Sequence, residues 1–255
     1  MTHCNIARST PENADAPVLI SSGKRQMLIR PEYLDIISAD TFNSSTWESL
    51  SQPVKNAGRG SAWFLKRDTE DWTLRYYQRG GLIAHFNSHT HLYLGQSFVR
   101  SFSEFRLLQT MYHLGLPVPK PVAASYHGIG GLWYQAQIIM EKIPEATPFS
   151  QHLLSGDPAL WTEVGQLIRR FHDRGVYHAD LNCHNILIKK EQLYLIDFDK
   201  SLFMTCEHWK KHNLRRLKRS IEKLFTGSDK SEINKCWSML LAGYGAPASD
   251  PGKPE

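Results

Sequence analysis

The chain reads as an α+β protein in two lobes, a strand-rich first half and a more helical second half, and three observations lead there. "SAWFLKRD" and "WTLRYYQ" are extended runs rich in aromatic and branched residues around the charged "RDTED", the pattern of an antiparallel hairpin. Apolar residues recur at helical spacing twice, at Phe98, Phe102, Phe105, Leu108 and Met111, and at Leu160, Val164, Leu167, Ile168 and Phe171. "ILIKKEQLYLIDFD" holds two short apolar runs around a polar turn, a second hairpin. A length of 255 residues with 41% hydrophobic and 22% charged residues is enough to bury a proper core.

Taken in order, residues 1–17 are polar and read as a disordered tail. Residues 18–142 form the first lobe, with the hairpin, the helix from Phe98 that Gly115 and Pro117 stop, and the buried strand "LWYQAQIIMEKIP". Prolines flank a boundary between Lys142 and Pro148, and residues 143–250 form the second lobe. There Asp157 and Pro158 start a helix, as capping carboxylate and first-turn proline, and Gly175 caps its end.

A net charge of +5 favours an anionic partner. Cys4, Cys183, Cys206 and Cys236 are scattered without a CxxC pair, so neither a zinc site nor a disulfide framework is expected, and a reducing cytosol fits. "MTHCNIARSTPENADAP" lacks an apolar h-region, and no run reaches the roughly 18 apolar residues of a membrane span, so a soluble or peripheral protein is expected. His85, His89 and His91 match no zinc spacing and read as a polar loop.

The stretch "VYHADLNCHNILI" sets His178, Asp180 and Asn185 in an apolar frame, and the hairpin that follows returns Asp197 beside them. Two carboxylates and an amide oxygen then meet at one place. That set suits phosphoryl transfer from ATP, which asks for oxygen ligands to Mg²⁺ and for a carboxylate that takes the proton of an attacking hydroxyl.

"HADLNCHN" resembles the catalytic loop H-x-D-L-x-x-x-N of the protein-kinase-like superfamily, and "DFD" stands where that superfamily has D-F-G. The resemblance implies a two-lobed protein-kinase-like fold with ATP between the lobes, Asp180 as catalytic base, Asn185 and Asp197 as Mg²⁺ ligands, and His178 as a structural member of the loop. "TLRYY" places Arg75 where the phosphate-contacting lysine stands, with Lys66 as the competing candidate. Glu104 is then the ion-pair partner, although Ser101 to Glu104 also spells a capping box, which leaves its role open. "GRGSAW" is similar to the start of a glycine-rich loop, so Gly58, Arg59 and Gly60 are nucleotide candidates, as are Met140 and Glu141.

No A-P-E segment follows "DFDKS", and Asn182 replaces the catalytic-loop lysine of serine/threonine kinases, which favours a small-molecule or lipid-sugar acceptor. "GRGSAWFL", "LRYYQRGGLIAHF", "SEFRLLQTMYHLGLPVPKPVAA", "GVYHADLNCHNIL" and "LIDFDKS" are similar to the bacterial 3-deoxy-D-manno-octulosonic acid (Kdo) kinase family. That resemblance implies phosphorylation of the 4-hydroxyl of Kdo on a Kdo-bearing lipid A precursor, by a peripheral protein at the cytoplasmic face of the bacterial inner membrane. The alternatives are a lipopolysaccharide heptose kinase and an inactive kinase-like membrane-binding module.

"HWKKHNLRRLKRSIEKLF" reads as a helix with Lys210, Lys211, Arg215, Arg216, Lys218 and Arg219 against Trp209, Leu214, Leu217, Ile221 and Leu224. Its basic face is either solvated or set against anionic lipid, where each charge contributes about 1 kcal/mol. No nucleic-acid partner is expected, since no reading module accompanies the charge.

Overall fold

The computed structural model describes residues 15–43, 51–53, 62–67, 70–77, 90–155, 157–225 and 230–245. The described residues fall into two compact units. One runs up to Leu114 and resumes over Pro119–Pro144; the other joins Gly115–Val118 to the chain from Glu145 onward.

The first unit is an antiparallel sheet with one helix. Its strands are β1 (Val18–Ser22), β2 (Arg25–Ile29), β3 (Ser51–Pro53), β4 (Ala62–Leu65), β5 (Trp72–Tyr76), β6 (His91–Leu92), β7 (Pro121–Ile129) and β8 (Trp133–Glu141), in the order β1-β2-β7-β8-β5-β4-β3 with β6 also on β8. The hairpin read from the sequence is β4 with β5, in the register Ala62 to Arg75 and Leu65 to Trp72. The hairpins β1–β2 and β7–β8 turn at Gly23 and at Gly130–Gly131, all with the positive φ that glycine adopts without a Cβ clash.

Met27, Ile29, Leu65, Trp72, Leu74, Val122 and Ile139 share one core with Tyr33 and Phe42. Each large side chain so buried contributes about 1.5–3 kcal/mol of transfer free energy. Helix α1 (Arg100–His113) lies against β7 and β8 through Phe102, Phe105, Leu108 and Met111. Phe98 departs from the expected helical face. It sits in the 3-10 turn before α1 and is 70% exposed, because the helix starts at Arg100 and the stripe loses its phase there.

The second unit contains β9 (Thr147–Pro148), α2 (Pro158–Asp173), β10 (Val176–Tyr177), β11 (Ile186–Lys189), β12 (Gln192–Leu195), β13 (Leu202–Phe203), α3 (His208–Glu222) and α4 (Lys230–Tyr244). The Asp157 carboxylate accepts the Ala159 N–H at 3.0 Å, the expected cap of α2, and Gly175 ends the helix at φ 73. Strands β12-β11-β9 form a small sheet, and β10 pairs with β13.

Helices α2 and α4 pack glycine against backbone. A Cβ on Gly165 would run into the Leu240 carbonyl oxygen and lie 2.7 Å from the Tyr244 nitrogen, and one on Gly243 would run into the Thr162 carbonyl. Helix α4 was not anticipated from the sequence. Cys183 and Cys236 are free and buried. Cys206 is disulfide-bonded, contrary to the expectation from scattered cysteines, since a disulfide needs no CxxC spacing. No described helix is long and apolar enough to cross a membrane.

Candidate active site

In the second unit the loop between β10 and β11 carries His178, Asp180 and Asn185, and β12 returns the chain to Ile196 and Asp197. The register of β11 with β12 sets Ile186 opposite Leu195, and the ladder continues with Ile196 N–H donating to the Asn185 carbonyl at 3.0 Å. Asn185 and Asp197 are thereby brought to neighbouring positions although they lie twelve positions apart in the chain. Asp197 has φ 64, a left-handed conformation costly for a residue with a Cβ and found where a site needs a side chain aimed away from the regular strand direction.

His178 is buried and fixes the loop from inside. Its Nε2 contacts the Ile196 carbonyl at 2.9 Å and its Nδ1 accepts the Asp180 N–H at 3.2 Å, which defines the tautomer with the proton on Nε2. Burial pushes its pKa down, and the nearby charges of Asp197 and Asp180 oppose that shift while Arg216 reinforces it. The imidazole is therefore a neutral strut with both carboxylates around it. Phe198 packs on the same ring at a centroid distance of 4.7 Å and stacks in turn on Phe171 of α2 at 5.9 Å.

The Asp180 carbonyl accepts from both Asn182 Nδ2 and Asn185 Nδ2, each at 3.0 Å, and the Asn182 Oδ1 accepts the His184 and Asn185 N–H groups at 2.9 and 3.2 Å. With its amide nitrogen so committed, Asn185 keeps Oδ1 for another ligand. The Asp180 side chain is 49% exposed, and its Oδ1 receives Arg216 Nε at 2.9 Å as well as Arg216 Nη2.

Sequence reasoning placed the loop residues but missed what anchors them. Asn213 of α3 is fully buried; its Oδ1 accepts the His178 N–H at 3.2 Å and its Nδ2 donates to the His178 carbonyl at 2.9 Å. Ser220, two turns on, accepts the Cys183 N–H at 3.1 Å, and Ser201 accepts the Ala179 N–H at 3.0 Å. Asn213, Arg216, Leu217 and Ser220 share one helical face with Trp209. The available signal was the pair of polar residues inside the apolar stripe of α3, where a buried side chain must find a partner.

Of the six basic residues read along α3, Arg216 turns to Asp180 and Lys210 pairs with Glu207 at 2.6 Å. Lys218 lies 3.9 Å from Glu222 and 5.9 Å from the Trp237 ring centroid. Lys211, Arg215 and Arg219 are exposed, and His212, Arg215, Lys218, Arg219 and Glu222 line an open recess of about 350 Å³.

In the first unit, Arg75 on β5 donates from Nη2 to Glu104 of α1, and Tyr77 donates its hydroxyl to the same carboxylate oxygen at 2.5 Å. Glu104 is 2% exposed. The capping alternative fails. The cap residue of α1 is Val99 without a side-chain bond, and Ser101 donates instead to the Ser125 carbonyl at 2.9 Å. Lys66 is exposed at the end of β4. Tyr77 was not foreseen; it braces the pair, with the Arg75 guanidinium 5.0 Å from its ring centroid.

Met140 is buried at the end of β8. Glu141 is committed to a local network: its carboxylate accepts Lys120 Nζ at 3.0 Å and the Tyr33 hydroxyl at 3.1 Å, and its N–H donates to the Lys120 carbonyl. Burial works to lower the Lys120 pKa, but the bonds to Tyr33 and Glu141 outweigh it and raise the pKa overall. Gly58, Arg59 and Gly60 lie outside the described residues, as do His85, His89 and nearly all of the 1–17 tail. His91 is on β6, with Nε2 3.4 Å from the Tyr77 carbonyl.

Among the described residues no three His, Cys, Asp or Glu side chains gather as a metal cage. Asn185 Oδ1 and the Asp197 carboxylate nevertheless fit Mg²⁺, a hard cation that takes one or two protein oxygens and fills its octahedron with phosphate and water.

Residues 44–244 match the Lipopolysaccharide kinase (Kdo/WaaP) family. The chain is 40% identical over 221 residues to a 3-deoxy-D-manno-octulosonic acid kinase of Stenotrophomonas maltophilia (strain R551-3), covering 86% of this chain and 88% of that one. It is 38% identical over 220 residues to the protein of the same name from Haemophilus influenzae (strain PittEE), covering 81% and 90%. Among solved structures it is similar to WaaP in complex with acyl carrier protein, with a TM-score of 0.54 at 15% identity over 84% of this chain and 86% of that one.

Proposed function

This chain belongs to the lipopolysaccharide kinase (Kdo/WaaP) family and has a protein-kinase-like fold, and from that premise we propose that it transfers the terminal phosphoryl group of ATP to the 4-hydroxyl of Kdo on a Kdo-bearing lipid A precursor, in lipopolysaccharide core biosynthesis. The observation that carries the reading is the second-unit loop: a half-exposed Asp180 carboxylate, with Asn185 and Asp197 brought to neighbouring positions by the β11–β12 register, in a chain 40% identical to a protein named 3-deoxy-D-manno-octulosonic acid kinase.

In the reaction so read, the acceptor oxygen attacks the terminal phosphorus, the bond from that phosphorus to the bridging oxygen breaks, and ADP leaves with the electron pair. Asp180 takes the hydroxyl proton; Arg216 bonds only Oδ1, which leaves Oδ2 to receive it. Asn185 and Asp197 would hold Mg²⁺, which when bound neutralises charge on the phosphate oxygens. Arg75, held by Glu104 and Tyr77, would meet phosphate, and Met140 and Glu141 would contact the nucleotide. The Asn213 and His178 braces hold the loop so that the base needs no reorganisation.

The outward basic face of α3, with Lys211, Arg215 and Arg219 exposed, supports a peripheral position on the anionic cytoplasmic face of the inner membrane, where a lipid-anchored sugar is presented. Incubation of the purified protein with ATP, Mg²⁺ and lipid A precursor with or without Kdo, followed by mass spectrometry, tests the reading. The Kdo-bearing lipid gains one phosphate, and fragmentation places it on carbon 4 of Kdo. Phosphate on a heptose instead, or no gain on any acceptor, contradicts it.

A further inference from the structure

Arg216 of α3 reaches the catalytic loop. Both of its contacts with Asp180 land on a single oxygen, Oδ1, through Nε and Nη2. A guanidinium carries five donors in a rigid fork, so the edge formed by Nη1 and the second Nη2 hydrogen remains for another planar anion. The side chain is 40% exposed, so it is in part open to solvent. Arg219 lies one turn after it, which adds positive charge nearby and strengthens the attraction for a negative group.

An acid sugar matches this arrangement. In a 3-deoxy-2-keto sugar acid the carboxylate sits on carbon 2, two ring carbons from the 4-hydroxyl, so a group that holds the carboxylate beside Asp180 also brings that hydroxyl to the base. We propose that Arg216 is the acceptor-specificity residue of this site, binding the sugar-acid carboxylate with its outer edge while its inner edge holds Asp180. The assignment rests on the Kdo kinase reading given above and adds to it the group that selects an acid over a neutral sugar. Lysine cannot do the same, because a single ammonium lacks two opposed donor edges.

The test compares the Kdo-bearing lipid A precursor with its Kdo methyl ester, using the wild-type protein, Arg216→Gln and Arg216→Lys. A charge-assisted bidentate contact gives about 10- to 100-fold discrimination. Wild type therefore favours the acid by that factor in kcat/KM. Arg216→Gln treats acid and ester alike, with the loss on the acid carried mainly by KM, and Arg216→Lys recovers only part of the preference. If Arg216 only orients Asp180, both variants lower kcat equally for the two acceptors and leave the preference intact, which overturns the inference while the kinase reading stands. A wild-type protein that phosphorylates neither acceptor sinks the kinase reading itself. Titration of free Kdo and its methyl ester onto each variant gives the same discrimination without turnover, and equal binding of both by wild type also refutes the inference.

Discussion

Replacing Asn213 with alanine removes the brace of the catalytic loop without touching a residue assigned to the reaction. The side chain is fully buried and makes two bonds to one neighbour, accepting from the His178 N–H at 3.2 Å and donating to its carbonyl at 2.9 Å. In the variant both backbone groups lose their partner, and each buried polar group left unpaired costs about 1–3 kcal/mol. The sum, about 2–6 kcal/mol, is a large part of the 5–15 kcal/mol that holds a typical domain together. At about 2–4 °C per kcal/mol for a domain of this size, the unfolding temperature falls by on the order of 10 °C. Below that temperature kcat falls as well, because the loop that aims Asp180 is no longer fixed at His178. Near-UV circular dichroism follows the first effect and phosphate transfer at low temperature the second. An Asn213→Ala protein with unchanged melting and unchanged kcat would refute the claim that α3 positions the loop.

Three further outcomes follow from individual contacts. Burial holds His172 well below its usual 6.5, at about 4, against partial compensation from Asn213, Asp173 and Glu207 and with Lys210 and the Tyr244 hydroxyl also facing it. Because the unfolded chain takes up this proton first, stability is complete above about pH 6.5 and declines as pH falls toward 4, by about 3 kcal/mol in all. Urea titrations across that range show the loss, and His172→Leu flattens the slope; an unchanged slope contradicts the assignment. Gly165→Ala drives a methyl into the α4 backbone at Leu240, so it destabilises by about 1–3 kcal/mol or more, whereas a helix interior elsewhere would gain from the exchange; a neutral or stabilising effect in thermal melts contradicts the close α2–α4 packing. Glu104→Ala removes the buried carboxylate that Arg75 and Tyr77 share, costs about 3–5 kcal/mol, and raises the KM for ATP more than that for the acceptor; the reverse order in steady-state kinetics argues against Arg75 as a phosphate contact.

Local chemistry was legible in the sequence. Asp157 with Pro158 marked the start of α2, Gly175 its end, and the aromatic, branched and apolar runs around polar turns gave the β4–β5 and β11–β12 hairpins. The placement of the candidate site residues was legible to the same extent, because His178, Asp180 and Asn185 lie within eight residues and the hairpin length fixes where Asp197 returns. What escaped depends on contacts between residues far apart in the chain. Asn213, Arg216 and Ser220 reach residues 35, 36 and 37 positions earlier, and no spacing rule links them to the loop. Tyr77 was read only as part of a strand. Its role depends on α1 placing Glu104 within reach of its hydroxyl, a packing fact rather than a periodicity.

The central claim is that the Asp180 carboxylate takes the proton of the Kdo 4-hydroxyl. Its most direct test is the rate of phosphate transfer to the Kdo-bearing lipid A precursor by Asp180→Ala, at saturating ATP and Mg²⁺, with nucleotide binding measured on the same sample. The account predicts a loss of about 10²- to 10⁴-fold in kcat while nucleotide binding stays within a few-fold of wild type. A variant that turns over at the wild-type rate would contradict it.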